Sequence, residues 1–164
     1  MKLLKELLPY IIIVVVVVLI RSFIVTPVRV EGTSMVPTLN ENDILVLNKM
    51  NRKYKRFDIV VVKYNGSRLV KRVIGLPGET VEYKNSKLYV NGKYIKEDFI
   101  SVETNDFSLE ELGESKIPKG SYFVVGDNRG NSMDSRMIGL IPEKKILGTT
   151  SFTLFPFNRF GKIA

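Results

Sequence analysis

The sequence predicts a mainly β domain preceded by a single apolar helix. Three observations carry that reading. Leu7 to Ile20 is uncharged and includes the run Ile11 to Val18. After Pro27 the pattern changes to short apolar stretches separated by Gly, Pro, Asn and Asp, which is how strands and turns alternate. Asn91-Gly92, between Lys87-Leu88-Tyr89-Val90 and Lys93-Tyr94-Ile95, is a hairpin signal, because both turn positions need φ > 0.

The apolar run comes first in the chain. Residues 7–20 in helical form reach about 21 Å, short of a hydrocarbon core of about 30 Å. Leu3 and Leu4 at one end, and Phe23-Ile24-Val25 beyond a snorkelling Arg21 at the other, extend it to a membrane-length segment. The expected anchor is residues 1–26, spanning the membrane from about residue 5 to residue 25. A cleaved secretory signal needs small residues before the cut, and the only alanine is Ala164. A buried strand would be shorter, and a buried soluble helix less uniformly apolar. Lys2 and Lys5 flank one side, Arg21 and Arg29 the other, so local charge does not choose an orientation.

Pro27 closes this helix or opens the first strand of the domain. The domain 27–164 is expected to hold strands at Val28–Val30, Ile44–Leu47, Asp58–Tyr64, Leu69–Ile74, Thr80–Tyr83, Leu88–Val90, Tyr122–Val125 and Ile146–Leu154. The acidic stretch Glu97 to Glu114 reads as an irregular surface excursion. Phe152, Phe155 and Phe157 are assigned to the core. Strands this short and numerous fit a barrel or folded sheets.

Composition narrows the chemistry. The chain has 164 residues and is 45% apolar, with a net charge of +8, and it contains neither Cys nor His. Thiol nucleophiles, disulfides and the commonest general base are therefore absent. Acid–base work falls to Asp, Glu, Lys or Tyr. A metal site would need carboxylates alone, and no Ca²⁺-loop spacing occurs; no metal or cofactor is expected. The positive charge fits a solvated basic surface, nucleic acid or anionic lipid, and the apolar N-terminus favours lipid over nucleic acid.

Three stretches could carry chemistry. In Glu31 to Leu39, Ser34 follows a short strand and sits in a turn with Gly32 and Pro37. Backbone N–H groups of such a turn can converge on one point, as an oxyanion hole requires; a serine there is equally an ordinary turn residue. In Ser67 to Glu79, Leu69, Lys71 and Val73 share one strand face. If that face is buried, Lys71 loses hydration, its pKa falls, and its neutral amine can accept a proton from a serine. If Val70 and Ile74 face inward instead, Lys71 is a surface lysine. Gly126 to Arg136 follows an apolar strand and is dense in charge. It is either a solvated loop or a braced network, with Asp127 and Asp134 pairing Arg129, Arg136 or Arg72, and Ser132 offered to a lysine.

Together these stretches resemble the conserved boxes of type I signal peptidases. Ser34-Met35-Val36-Pro37-Thr38-Leu39 matches the serine box, Lys71-Arg72-Val73-Ile74-Gly75-Leu76-Pro77-Gly78 the lysine box, and Gly126-Asp127-Asn128-Arg129 through Ser132, Asp134, Ser135 and Arg136 the third. Arg56-Phe57-Asp58 resembles the segment before the lysine strand, with Phe57 where the family usually has Gly. The boxes occur in the family's order, and the resemblance covers almost the whole chain. It implies a folded β-sheet or partial barrel behind one transmembrane helix. It also implies a catalytic domain on the outer face of the cytoplasmic membrane, and cleavage of secretory preproteins after small residues. By the same resemblance Ser34 is the nucleophile, Lys71 the general base and Ser132 the hydroxyl that orients it. Asp127, Arg129, Asp134, Arg136 and Arg72 form the supporting network. The Ser34 N–H is one oxyanion donor; Gly32, without a side chain, offers only its backbone for a second. Val28, Val30, Met35, Leu69 and Val70 are expected to line shallow substrate pockets. Another Ser–Lys protease of the self-cleaving repressor type, and a tethered non-enzymatic basic β domain, are the alternatives. The first lacks the expected partner region, and the second leaves the boxes unexplained.

Overall fold

The computed structural model describes residues 2–51, 53–100 and 102–163, and within the first helix the side chains of residues 6–19, 21 and 22. Helix α1 (Lys2–Phe23) leads into β1 (Val25–Arg29). There follow β2 (Ile44–Asn48), β3 (Ile59–Tyr64), β4 (Ser67–Gly75), β5 (Val81–Lys84), β6 (Lys87–Val90) and β7 (Lys93–Ile95). The two-residue β8 (Phe107–Ser108), β9 (Ser121–Val125), the short helix α2 (Ser135–Ile138), β10 (Ile141–Pro142), β11 (Ile146–Phe155) and β12 (Gly161–Lys162) complete the chain.

The larger sheet runs β1-β2-β11-β3-β4-β9-β10, with β12 on β11, and the smaller runs β7-β6-β5-β8. All pairs are antiparallel. Two-residue loops join three of them. Asn65-Gly66, Asn85-Ser86 and Asn91-Gly92 all have φ between 46° and 83°, the conformation that matches strand twist. The Asn-Gly hairpin expected from sequence is one of these. Pro27 lies inside β1 opposite Val46; the missing N–H is tolerated because β1 is an edge strand.

Alternation along the strands sorts side chains between cores. On β3, Ile59 and Val61 join Val28, Val30, Met35, Leu45, Leu47 and Val70 in one cluster, whereas Val60 and Val62 join Val73, Val124 and Ile146 in another. A third cluster, including Ile74, Tyr83, Phe107 and Phe123, fills the space between the two sheets. At about 25 cal/mol per Å² of apolar surface, these cores supply the main drive for folding.

Two expectations are corrected. Residues 97–114 are not merely a surface excursion: Thr104, Phe107 and Leu109 are buried, and Phe107 pairs with Tyr83 through β8. The smaller sheet needs that cover for its apolar face. Phe155 and Phe157, expected in the core, are 45% and 81% exposed. They stack edge to face at the end of β11, 5.6 Å apart, while Phe152 is half-buried against Phe160. Phe57, where the resembling family has Gly, holds φ +71°, a left-handed conformation costing about 1–2 kcal/mol for a residue with Cβ. Its ring packs edge to face on Phe99 at 5.1 Å.

Among the described residues no helix is long and apolar enough to cross a membrane. Leu3, Leu4 and Phe23, by which the span was expected to lengthen, lie outside the described side chains. The large apolar residues from Leu7 to Leu19 are each exposed by 46% or more, and none joins a core cluster.

Candidate active site

Ser34 sits on a turn held from two sides. Met35 and Leu39, 1% and 0% exposed, sink the turn into the core beneath β1 and β2, and the Leu39 N–H donates to Met35 O at 2.9 Å. From the other side the Asn128 N–H donates to Ser34 O at 3.0 Å. Asn128 Nδ2 donates to Thr33 O, and Asn131 Nδ2 to Thr33 Oγ1. The hydroxyl is thus carried on backbone that cannot swing freely.

Lys71 lies mid-way along β4, opposite Val60 on β3. Sequence left open which face of β4 is buried; from Val70 to Gly75 both are. Lys71 is 3% exposed, and its Nζ donates to Ser34 Oγ at 2.6 Å. Burial pulls its pKa from 10.5 down to about 8, while the charges of Asp134 and Asp127 partly oppose the fall. A buried amine that loses its proton more readily than a free lysine, hydrogen-bonded to a serine hydroxyl, has the arrangement that a nucleophile and its base require.

Behind the pair stand three ion pairs, two buried and one with its arginine partly exposed. Arg72 grips Asp127 with Nε to Oδ1 at 2.8 Å and Nη2 to Oδ2 at 2.6 Å, a bidentate geometry. Thr38 Oγ1 donates to the same carboxylate at 2.5 Å. Arg136 grips Asp134 the same way, at 2.9 Å through Nε and Nη2. Asp134 also accepts the Gly126 N–H at 3.1 Å and caps α2 by accepting from the Arg136 N–H. Arg129 pairs instead with Glu97, Nη2 to Oε1 at 2.7 Å, and bonds Thr104 Oγ1 and Gly126 O.

The sequence-predicted residues therefore converge, with differences in detail. The hydrogen bond from Ser132 to the lysine is not formed: Ser132 Oγ is buried and has no partner among the described residues. It lies against Gly126, where an added Cβ would collide with Ser132 Oγ and Ser34 O. The Gly32 N–H, expected to offer a second oxyanion donor, lies 3.4 Å from Glu41 Oε1; the Ser34 N–H meets no acceptor among the described residues. Val28, Val30, Met35 and Val70 belong to one cluster and are 1–6% exposed, with Leu69 half-buried. Sequence reasoning missed Thr38, Glu97 and Thr104. Thr38 stood within the serine box. Glu97, 32 positions from Arg129 in an irregular stretch, gave no local signal.

The family model described as signal peptidase, peptidase S26, matches residues 3–155. The chain belongs to that family. It is 47% identical over 159 residues to signal peptidase I T of Bacillus subtilis (strain 168), covering 88% of this chain and 81% of that protein. It is 47% identical over 152 residues to signal peptidase I V of the same strain, covering 84% and 90%. A crystal structure of a signal peptidase I from Enterococcus faecalis V583 is similar with a TM-score of 0.56 at 42% identity, covering 59% of this chain and 96% of that one. Membership makes the protein a serine endopeptidase.

Proposed function

We propose that this enzyme removes N-terminal signal peptides from secretory preproteins at the outer face of the cytoplasmic membrane, with Ser34 as nucleophile and Lys71 as general base. The observation that carries the reading is the 2.6 Å bond from a lysine only 3% exposed to the serine hydroxyl.

In the first step neutral Lys71 takes the Ser34 proton while Oγ attacks the scissile carbonyl. The negative oxygen that forms is held by backbone donors, the Ser34 N–H among them. The tetrahedral species collapses, the Lys71 ammonium gives its proton to the departing amine, and an acyl-serine remains. Lys71, neutral again, takes a proton from water, which attacks the ester and releases the signal peptide. The pairs Arg72–Asp127 and Arg136–Asp134 fix the loop around this chemistry, and their carboxylates set how far the amine's pKa falls.

Two strand edges are suited to an extended substrate. β1 is bonded on one side only, and β4 meets β9 only from Arg72 onward, leaving Ser67 to Lys71 with one open edge. A cleavage region pairing there gains main-chain hydrogen bonds. Val28, Val30, Met35, Leu69 and Val70 would then floor shallow pockets in which an Ala-like side chain fits and a larger one clashes. The exposed helix supports an anchoring role. Its apolar residues have no protein partner among the described residues. Its 22 residues reach about 33 Å, the thickness of a hydrocarbon core. An anchored enzyme meets its membrane-held substrates at raised local concentration.

Cleavage of a preprotein with an Ala-x-Ala site in lipid vesicles tests the assignment. Wild type cuts; Ser34→Ala, Lys71→Ala and Lys71→Arg do not, the last because Arg stays charged. Cleavage by Lys71→Arg would remove Lys71 as the base, and equal cleavage by all would remove the pair.

A further inference from the structure

A concavity of about 370 Å³ opens where α1 meets the sheet, between Thr26, Lys49, Arg68 and Lys144 over a floor of Leu47 and Leu147. Its place at the foot of the helix is fixed by bonds. Lys49 Nζ donates to Arg21 O at 3.1 Å and Ser22 O at 3.0 Å, and Thr26 Oγ1 donates to Arg21 O at 2.8 Å. Among the described residues three cations line it and no carboxylate does. Arg68 and Lys144 are exposed, and their side chains form no ion pair among the described residues. Arg68 also stands directly across β3–β4 from Lys63, a like-charge pairing that costs stability unless an anion neutralises it.

We propose that this pocket binds the phosphate headgroup of an anionic phospholipid, with Arg68 and Lys144 on the phosphate and the apolar floor against the glycerol and first methylenes. Charge complementarity and continuity with α1 point to lipid. Juxtamembrane cations attract anionic headgroups, and a pocket at the end of a membrane helix lies at headgroup level. The inference rests on the proposed anchoring of α1.

The full chain, purified in neutral detergent with an equimolar mixture of phosphatidylglycerol and phosphatidylcholine, is examined by native mass spectrometry for retained lipid. Wild type retains phosphatidylglycerol in about tenfold or greater preference. Arg68→Gln with Lys144→Gln loses the preference, whereas Arg68→Lys with Lys144→Arg keeps it. Both variants stay in membranes through alkaline carbonate extraction and unfold no lower than the wild type, the glutamine variant slightly higher because Lys63 no longer faces a like charge. Equal preference in wild type and the glutamine variant overturns the proposal. Displacement of the lipid by millimolar inorganic phosphate assigns the site to free phosphate instead. Absence of lipid preference, with faster cleavage of preproteins acidic upstream of the cut that only wild type shows, assigns it to substrate. Release of wild type by carbonate removes the anchoring reading itself, a failure distinct from loss of lipid preference.

Discussion

Lys71 is held at a cost to the fold that chemistry requires. Its amine titrates near 8 in the folded protein and at 10.5 when unperturbed. Between those values the unfolded chain binds more protons, so this residue's contribution to stability rises with pH there. Below pH 8 the full cost, about 3 kcal/mol, is present. Lys71→Met therefore abolishes cleavage yet stabilises the protein by about 3 kcal/mol at pH 7, a gain that fades toward pH 10.5; urea denaturation at the two pH values reads it. Cleavage itself falls about tenfold per unit as pH drops below 8, because the neutral amine disappears, which a pH profile of kcat/KM checks. Glu97 is the opposite case. The Arg129 side chain is fully buried and Glu97 is its carboxylate. Glu97→Ala strands that charge and costs about 3–5 kcal/mol, read by urea denaturation. Ser34 and Lys71 were singled out because their boxes stand together in the order of the resembling family; alone, a turn serine and a strand lysine left either reading open. Glu97 was not, because its partner is brought near only by tertiary folding.

At the scale of elements, β4 and the loop after β9 place the site. Burial on both faces of β4 could not be read from its alternation, which permits either face. It follows from packing against both faces of β4, with Val70, Val73 and Ile74 each in a different core cluster. The paired hairpins, by contrast, were written in the local chemistry of Asn and Gly. The two-residue strands β8, β10 and β12 had no periodicity to announce them; each exists because a neighbour offers an edge. Gly126 is the narrowest point of the loop. Gly126→Ala pushes a methyl against Ser132 and the Ser34 carbonyl, and a shift of that size lowers kcat/KM by about 100-fold while the β core remains. Steady-state kinetics beside circular dichroism separate the two effects.

At the scale of the whole molecule, we expect helix and β domain to be separable. Among the described residues none of α1 joins a core cluster and exposed bonds from Lys49 and Thr26 tie its last turn to the sheet, so the domain from Val25 onward is expected to fold and unfold cooperatively without the helix, at a slightly lower midpoint, and to lose retention in vesicles. Flotation with and without residues 1–24 measures the second effect. The class of the domain and the presence of the helix were legible in the sequence. The exposed aromatic end of β11 was not, since aromatic residues are buried more often than not. What joins the scales is one buried amine, presented by a strand covered on both faces to a serine on a pinned turn. The most direct test is NMR titration of Lys71 in the folded enzyme carrying ¹³Cε-labelled lysine, assigned by comparison with Lys71→Met. A midpoint of about 8 is the expected result, while a midpoint at the ordinary 10.5 would leave the lysine charged at working pH and contradict its role as base.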